Sequence, residues 1–219
     1  MKRPFLLLLL SVNLFGATAT WNVDSNGSWE VNGNWTPMTF PNGNSDTAIL
    51  SNVITGNRTI TLGIPITLEA LNIDDNNSYR LQSNQLIFES SSGTPMITIT
   101  NVNGNGAHRI SSAIQLNETL EISQGAVSTL LIDGLISGPG GLTKTGSGIL
   151  RVNVQNNTYT GVTRINEGTY NYTQRGAIPN GGVTILGDGG GASPNLIINR
   201  SMSGASGINL TINSNGTLI

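Results

Sequence analysis

A chain of 219 residues with 10% charged residues, 5% aromatics and a formal net charge of -2 lacks the concentrated Lys and Arg that phosphate neutralisation demands, which argues against a nucleic-acid partner. The absence of Cys excludes disulfides and Cys-based metal sites, while a 37% apolar share is enough to fill a core and excludes wholesale disorder. Gly numbers 28, and Asn, Ser and Thr are abundant, a composition poorly suited to helices and well suited to short strands joined by tight turns.

The N-terminus runs from Lys2 and Arg3 through the apolar stretch Phe5 to Leu10 into Gly16-Ala17-Thr18-Ala19. Basic, apolar and small residues in that order are the pattern of a secretory signal peptide, over residues 1–19 with cleavage after Ala19. The apolar run falls short of the ~20 residues that a spanning helix requires, so no transmembrane segment is expected in the mature chain.

Residues 20–57 differ from the remainder of the chain. They hold Trp21, Trp29 and Trp35 and show poor apolar alternation. They are expected to form an N-terminal cap over a stacked fold, because terminal units of repeat proteins are atypical in sequence. A second reading makes the three Trp a carbohydrate contact, since sugars stack on aromatic faces.

From residue 58 to 219 short segments alternate apolar residues with Thr, Asn or Ser and end in Gly or Asn, as in Thr59-Ile60-Thr61-Leu62, Ile97-Thr98-Ile99-Thr100 and Leu210-Thr211-Ile212-Asn213. Period two places every second side chain on one face, so each segment reads as a half-buried strand. Ile122-Ser123-Gln124-Gly125 recurs as Ile165-Asn166-Glu167-Gly168 and loosely at Ile212, an interval of about 45 residues that two solenoid coils would fill.

The fold class is therefore all-β, a right-handed parallel β-helix (β-solenoid), with an antiparallel β-sandwich as the alternative. In stacked coils equivalent residues stand about 4.8 Å apart, where like charges repel but Asn and Thr can hydrogen-bond from rung to rung. Low charge and high Asn follow from that single geometry. The sequence stops at Thr217-Leu218-Ile219 inside a strand pattern, so a truncated or uncapped end is expected.

The stretch Ser137-Gly138-Pro139-Gly140-Gly141-Leu142-Thr143-Lys144-Thr145-Gly146-Ser147-Gly148-Ile149-Leu150, followed by Tyr159-Thr160-Gly161 and Glu167-Gly168, resembles the autotransporter-associated β-strand repeat of bacterial passenger regions. Gly27-Ser28-Trp29, Asn34-Trp35 and Pro41-Asn42-Gly43 are similar to the segment that opens many such passengers. The resemblance implies a surface β-helix, secreted or held at the outer membrane of a Gram-negative-type bacterium. No run of amphipathic strands forms a translocator barrel, so export implies a partner or a downstream barrel. Within the motif Gly141, Gly146, Gly148, Gly161 and Gly168 suit turns or close approach of coils, Leu142, Leu150 and Tyr159 would point inward, and Lys144 reads as a solvated charge at a turn.

Chemistry is sparse. His108 is the sole histidine, sits in Gly106-Ala107-His108-Arg109 without a nucleophile elbow, and reads as a surface residue. Asp74-Asp75 is the one adjacent acidic pair, whose side chains would point to opposite faces in a strand or both be solvated in a turn, and Asp133, Glu167 and Asp188 could meet only through coil register. No catalytic residue, metal ligand or cofactor is assigned. The expected function is a non-catalytic exported scaffold, adhesion or display module contacting host or environmental carbohydrate or protein. The alternatives are a polysaccharide-active lyase or hydrolase, or a passenger fragment without independent function.

Overall fold

The computed structural model describes residues 16–100, 107–125, 128–172, 174, 177–179, 182–188, 190, 193–198, 209–213 and 215–219. The signal segment before residue 16 lies outside them. The fold is a β-solenoid of about seven turns, 2% helical.

Each coil visits up to three rows of parallel strands. The first row is a 9-stranded sheet: Gly27–Ser28, Arg58–Thr61, Tyr79–Gln82, Ala107–Ile110, Thr129–Ile132, Ile149–Val152, Thr169–Tyr172, Asn195–Ile198 and Thr217–Leu218. The other two rows belong to one 13-stranded sheet, because the long strand Ile66–Ile73 serves both. Its first half pairs with Gln85–Phe88, continuing to Ala113–Leu116 and Ile136–Ser137. Its second half pairs with Gly43–Leu50 on one side and Met96–Ile99 on the other, continuing through Leu120–Gln124, Leu142–Thr145, Thr163–Ile165, Val183–Leu186 and Asn209–Ile212. We call these the first, second and third rows.

Among the described pairings only Thr18–Trp21 with Trp35–Thr36 is antiparallel, so the sandwich alternative is set aside. The alternation read from the sequence appears directly as buried and part-exposed residues in turn, for example along Gln85–Phe88, Met96–Ile99 and Thr129–Ile132. The core is a set of columns running along the axis. In the third row Leu71, Ile97, Ile122, Lys144, Ile165, Leu186 and Ile212 stand on successive rungs. The sequence repeat from Ile122 to Ile165 is thus two coils, with Lys144 on the rung between. Every apolar member that is buried adds about 1.5–3 kcal/mol of hydrophobic stabilisation.

The Asn-rich turns knit neighbouring coils together. Asn57 Oδ1 accepts the Ser78 N–H at 3.0 Å, Asn26 Oδ1 accepts the Thr59 N–H at 2.8 Å, and Asn42 Oδ1 accepts the Thr67 N–H at 2.7 Å. A neutral amide can both give and accept along a stack without rung-to-rung repulsion, which is why this chain uses Asn where others use charge.

At the start of the solenoid the strand Thr18–Trp21 lies parallel to Gly43–Leu50, and the Ala17 N–H donates to Asp46 Oδ1 at 2.6 Å. Residues 17–19, expected to leave with the signal, are therefore in contact with the sheet.

Candidate functional site

Two places carry the residues that sequence reading singled out: the Trp cluster and the repeat centred on Lys144.

Trp21, Trp29 and Trp35 have no exposed surface. Trp21 and Trp35 meet edge to face with ring centroids 5.3 Å apart, and Trp29 tilts against Trp35 at 4.7 Å. Each indole N–H reaches a backbone carbonyl: Trp21 to Val23 at 2.8 Å, Trp29 to Pro41 at 2.9 Å and Trp35 to Trp29 at 2.7 Å. With faces packed and donors satisfied, no indole is open to stack on a sugar, so these contacts favour the expected cap over the second, carbohydrate reading.

The repeat is likewise turned inward. Leu142, Leu150 and Tyr159 are buried, and the Tyr159 and Thr163 hydroxyls share a hydrogen bond of 2.6 Å. Gly146 (φ +67°) and Gly168 (φ +71°) occupy the turn from third row to first in successive coils. A Cβ on Gly146 would lie 2.2 Å from the Gln124 carbonyl oxygen, and one on Gly168 would lie 2.4 Å from that of Gly146. Gly141 and Gly161 face each other across adjacent coils, where a Cβ on Gly161 would sit 2.3 Å from the Gly141 nitrogen. Gly148 approaches the Gly125 carbonyl oxygen, at 2.6 Å from its would-be Cβ. Only residues without side chains let the coils come this close.

Lys144 departs most from expectation. It is fully buried, not a solvated turn charge, because it occupies an inward position of Leu142–Thr145. Its stem fills the column between Ile122 and Ile165, and its ammonium reaches the turn, donating to the carbonyls of Thr145 at 2.7 Å, Gly146, and Glu167 at 3.3 Å. Three N–H donors thus meet three backbone acceptors from two coils. Burial pushes the amine down to about 8, and the Glu167 carboxylate pulls in the opposite direction. Enclosed and saturated with acceptors, this amine meets no substrate.

Asn157 has a similar role that sequence reading did not single out. Its Oδ1 accepts the Ile136 N–H at 2.8 Å from the preceding coil, and its Nδ2 donates to the Ala177 carbonyl at 2.7 Å in the next. One buried amide joins three coils.

His108 is also buried, not on the surface, since Ala107–Ile110 points it inward one rung above Tyr79, whose ring it stacks on with centroids 6.3 Å apart. Nδ1 accepts the Tyr79 N–H at 3.3 Å, leaving the ring proton on Nε2. Burial pulls the imidazole down to about 4 against the opposing pull of Asp75. The folded chain therefore refuses a proton that the unfolded chain accepts near 6.5. This stabilisation is present above pH 6.5 and is lost as pH falls through about 4. Denaturant unfolding of the native chain at pH 4.5 is expected to show about 2–3 kcal/mol less stability than at pH 7, and His108→Gln is expected to reduce that difference. An unchanged difference in the variant would assign the loss to carboxylates alone.

Asp75, expected to be solvated if in a turn, is buried and accepts the N–H groups of Asn77 at 2.7 Å and Ile54 at 3.3 Å. Asp133, Glu167 and Asp188 do not assemble: the first pairs with Arg109 beside the first row, the second lies by Lys144, and the third accepts the Gly190 N–H at 2.7 Å. Among the described residues no three His, Asp or Glu side chains come together as a metal site.

The comparisons with known proteins bear on the same stretch. The model of the passenger-associated-transport-repeat matches residues 142–169. That match and the β-solenoid around it fit an autotransporter passenger-like repeat protein. No curated protein and no solved structure gives a significant match to the chain. The passenger-like repeat spans Leu142 to Thr169, and the strands Leu142–Thr145, Ile149–Val152 and Thr163–Ile165 lie within it. Its Gly and Lys positions are among those just described as coil-to-coil contacts, and its Tyr is the buried Tyr159 bonded to Thr163. No helix among the described residues is long and apolar enough to cross a membrane.

Proposed function

We propose that the chain is an exported, non-catalytic passenger-like solenoid that holds a contact surface away from the cell, for adhesion or display, and that a separate translocator carries it across the outer membrane. The observation that carries this reading is the use of the repeat's chemistry: the ammonium of Lys144 and the amide of Asn157 reach backbone carbonyls of the next coil, and the hydroxyl of Tyr159 is spent on Thr163 inside its own coil. A motif spent on architecture leaves function to the outward rungs and loops. The match to a passenger-associated repeat supports an exported or surface location. Cleavage at Ala17-x-Ala19 releases the mature form, and N-terminal sequencing of secreted protein beginning at Thr20 would agree with it.

Catalysis is tested by incubating purified chain with polygalacturonate and calcium and following the absorbance of unsaturated products. The expected result is no turnover above a buffer control. Sustained product formation that scales with protein would overturn the scaffold reading in favour of a lyase.

A further inference from the structure

The outward face of the first row carries an ordered column of arginines. Arg80 is registered with Arg109, Arg109 with Leu131 and Leu131 with Arg151, so three cations occupy four successive rungs at one lateral position. Thr59 and Asn171 continue the column at its two ends. Rungs in a parallel sheet are separated by about 4.8 Å, a spacing at which like charges destabilise each other. A chain with 10% charged residues that sets three of them in register does so against its own rule elsewhere.

The column is only partly neutralised from within. Asp133 accepts from Arg109 Nε at 2.8 Å and from its Nη2, and Arg80 Nε donates to Ser111 Oγ at 3.2 Å. Both Arg109 and Arg80 draw the Asp133 carboxyl below its usual range against the opposing effect of burial. Arg80 and Arg151 are exposed, and Arg151 makes no ion pair among the described residues. Beside Arg151 lies a concavity of about 260 Å³ formed by Ala107, Thr129, Leu131, Arg151 and Asn153. It offers an apolar floor with an amide and a hydroxyl at its edge.

Carboxylates gather elsewhere. Glu69, Glu89 and Glu121 lie on or next to strands of the second and third rows, held by Ser90 at 2.7 Å, Asn117 at 2.6 Å and Thr145 at 2.8 Å. The arginine column thus lies on one face and these acids on the others, where Arg164 of the third row is also found.

We infer that the first-row face around Arg80, Arg109, Leu131 and Arg151 binds a linear acidic polysaccharide laid along the solenoid axis. Its anionic groups meet the arginines rung by rung at a spacing comparable to one sugar in an extended chain. The flat side of a sugar ring rests on Leu131 and Ala107, while Thr129 takes a hydroxyl. Arginine suits this ligand because its planar fork pairs bidentately with carboxylate or sulfate. No aromatic side chain is registered in the column for base stacking, which disfavours single-stranded nucleic acid. This inference rests on the display reading and names its ligand.

The test measures fluorescence anisotropy of labelled oligogalacturonate and of a labelled neutral glucan of equal length, with the whole chain, at several salt concentrations. Oligogalacturonate is expected to bind and the neutral glucan not. The double variant Arg80→Gln/Arg151→Gln is expected to bind about tenfold more weakly, with a salt slope reduced by about two, while Arg164→Gln in the third row leaves affinity within about twofold. Circular dichroism matching the native chain establishes that the variants fold. Equal losses in both variants, or equal binding of the neutral glucan, would overturn the inference. So would a labelled single-stranded oligodeoxynucleotide binding as tightly as the saccharide. Cleavage of a probe that still binds through the column would sink the non-catalytic reading and keep the ligand. Absence of both binding and cleavage would do the reverse.

Discussion

Lys144→Ala is expected to destabilise the chain by about 4 kcal/mol in denaturant unfolding, and Lys144→Met by about 1–2 kcal/mol. The two variants separate the two things this side chain does. Alanine removes a stem packed between Ile122 and Ile165, leaving a cavity in an otherwise continuous apolar column. It also leaves the carbonyls of Thr145, Gly146 and Glu167 without their shared donor. Methionine keeps most of the stem and loses only the ammonium, whose desolvation was itself costly. A Met variant as damaged as the Ala variant would mean that the hydrogen bonds, and not the packing, dominate.

The pH dependence has a definite sign. Burial lowers the Lys144 amine from 10.5 to about 8 in the folded chain, so folding releases a proton between those values. Stability therefore rises as pH climbs above 8, by about 2 kcal/mol at pH 10. Above pH 10 the buried tyrosines act against this. Burial raises Tyr159 to about 12 and also raises Tyr79, Tyr170 and Tyr172, so the unfolded chain loses phenolic protons first and stability falls again. The native chain is expected to be most stable near pH 10, and Lys144→Met to lack the rise between 8 and 10. A rise that survives in the Met variant would show that Lys144 is not its source.

Gly146→Ala is expected to cost about 3–5 kcal/mol, while Gly33→Ala stays close to neutral. Gly146 has φ +67°, and its new Cβ would lie 2.2 Å from the Gln124 carbonyl oxygen, 2.9 Å from the Gln124 carbonyl carbon and 2.9 Å from the Gln124 nitrogen. The obstacle is the backbone of the neighbouring coil, which cannot rotate away as a side chain would. Relief requires separating two rungs of a parallel sheet. Gly33 has nothing within 4 Å of its would-be Cβ and no such conformation. Comparable thermal midpoints for the two variants would show that the coils do not approach as closely as the turn geometry requires.

The strand rhythm and the coil length were legible in the sequence. Alternation in Ile97-Thr98-Ile99-Thr100 or Leu150-Arg151-Val152 identifies a half-buried strand because side chains in extended backbone point to opposite faces in turn. The recurrence from Ile122 to Ile165 identified two coils because equivalent rungs make equivalent demands on their turns. The abundance of Asn followed from the same stacking. Gly146 and Gly168 could be placed at turns for the same reason, although not how close the next carbonyl lies.

What sequence alone misjudged were single polar residues. Lys144 and His108 read as exposed, and Asp75 as solvated if it lay in a turn, because charged and polar side chains are mostly solvated. In the fold each lies inside because the position is inward and a backbone partner is waiting: the carbonyls of Thr145 and Gly146 and, from the next coil, of Glu167 for the first, and, from another coil, the Tyr79 N–H for the second and the Ile54 N–H for the third. A parity count along Leu142-Thr143-Lys144 puts the lysine inward, and that signal was outweighed by its charge. The three Trp residues could be read as a packed cap or as a sugar platform, and only their mutual contacts ended the choice.

Sequence by itself determined that this chain is a stack of short strands with coils of twenty-odd residues, uncharged along most of its rungs and built around a passenger-type repeat. Those properties are periodic, and periodicity is written along the chain. Only the tertiary structure decided that the repeat's lysine and tyrosine face the interior, and that Arg80, Arg109 and Arg151 share one column. The reason is register. Coils here are joined by bonds between residues separated by 20 positions in one place and 33 in another, so no fixed interval aligns one arginine with the next until every turn has been closed.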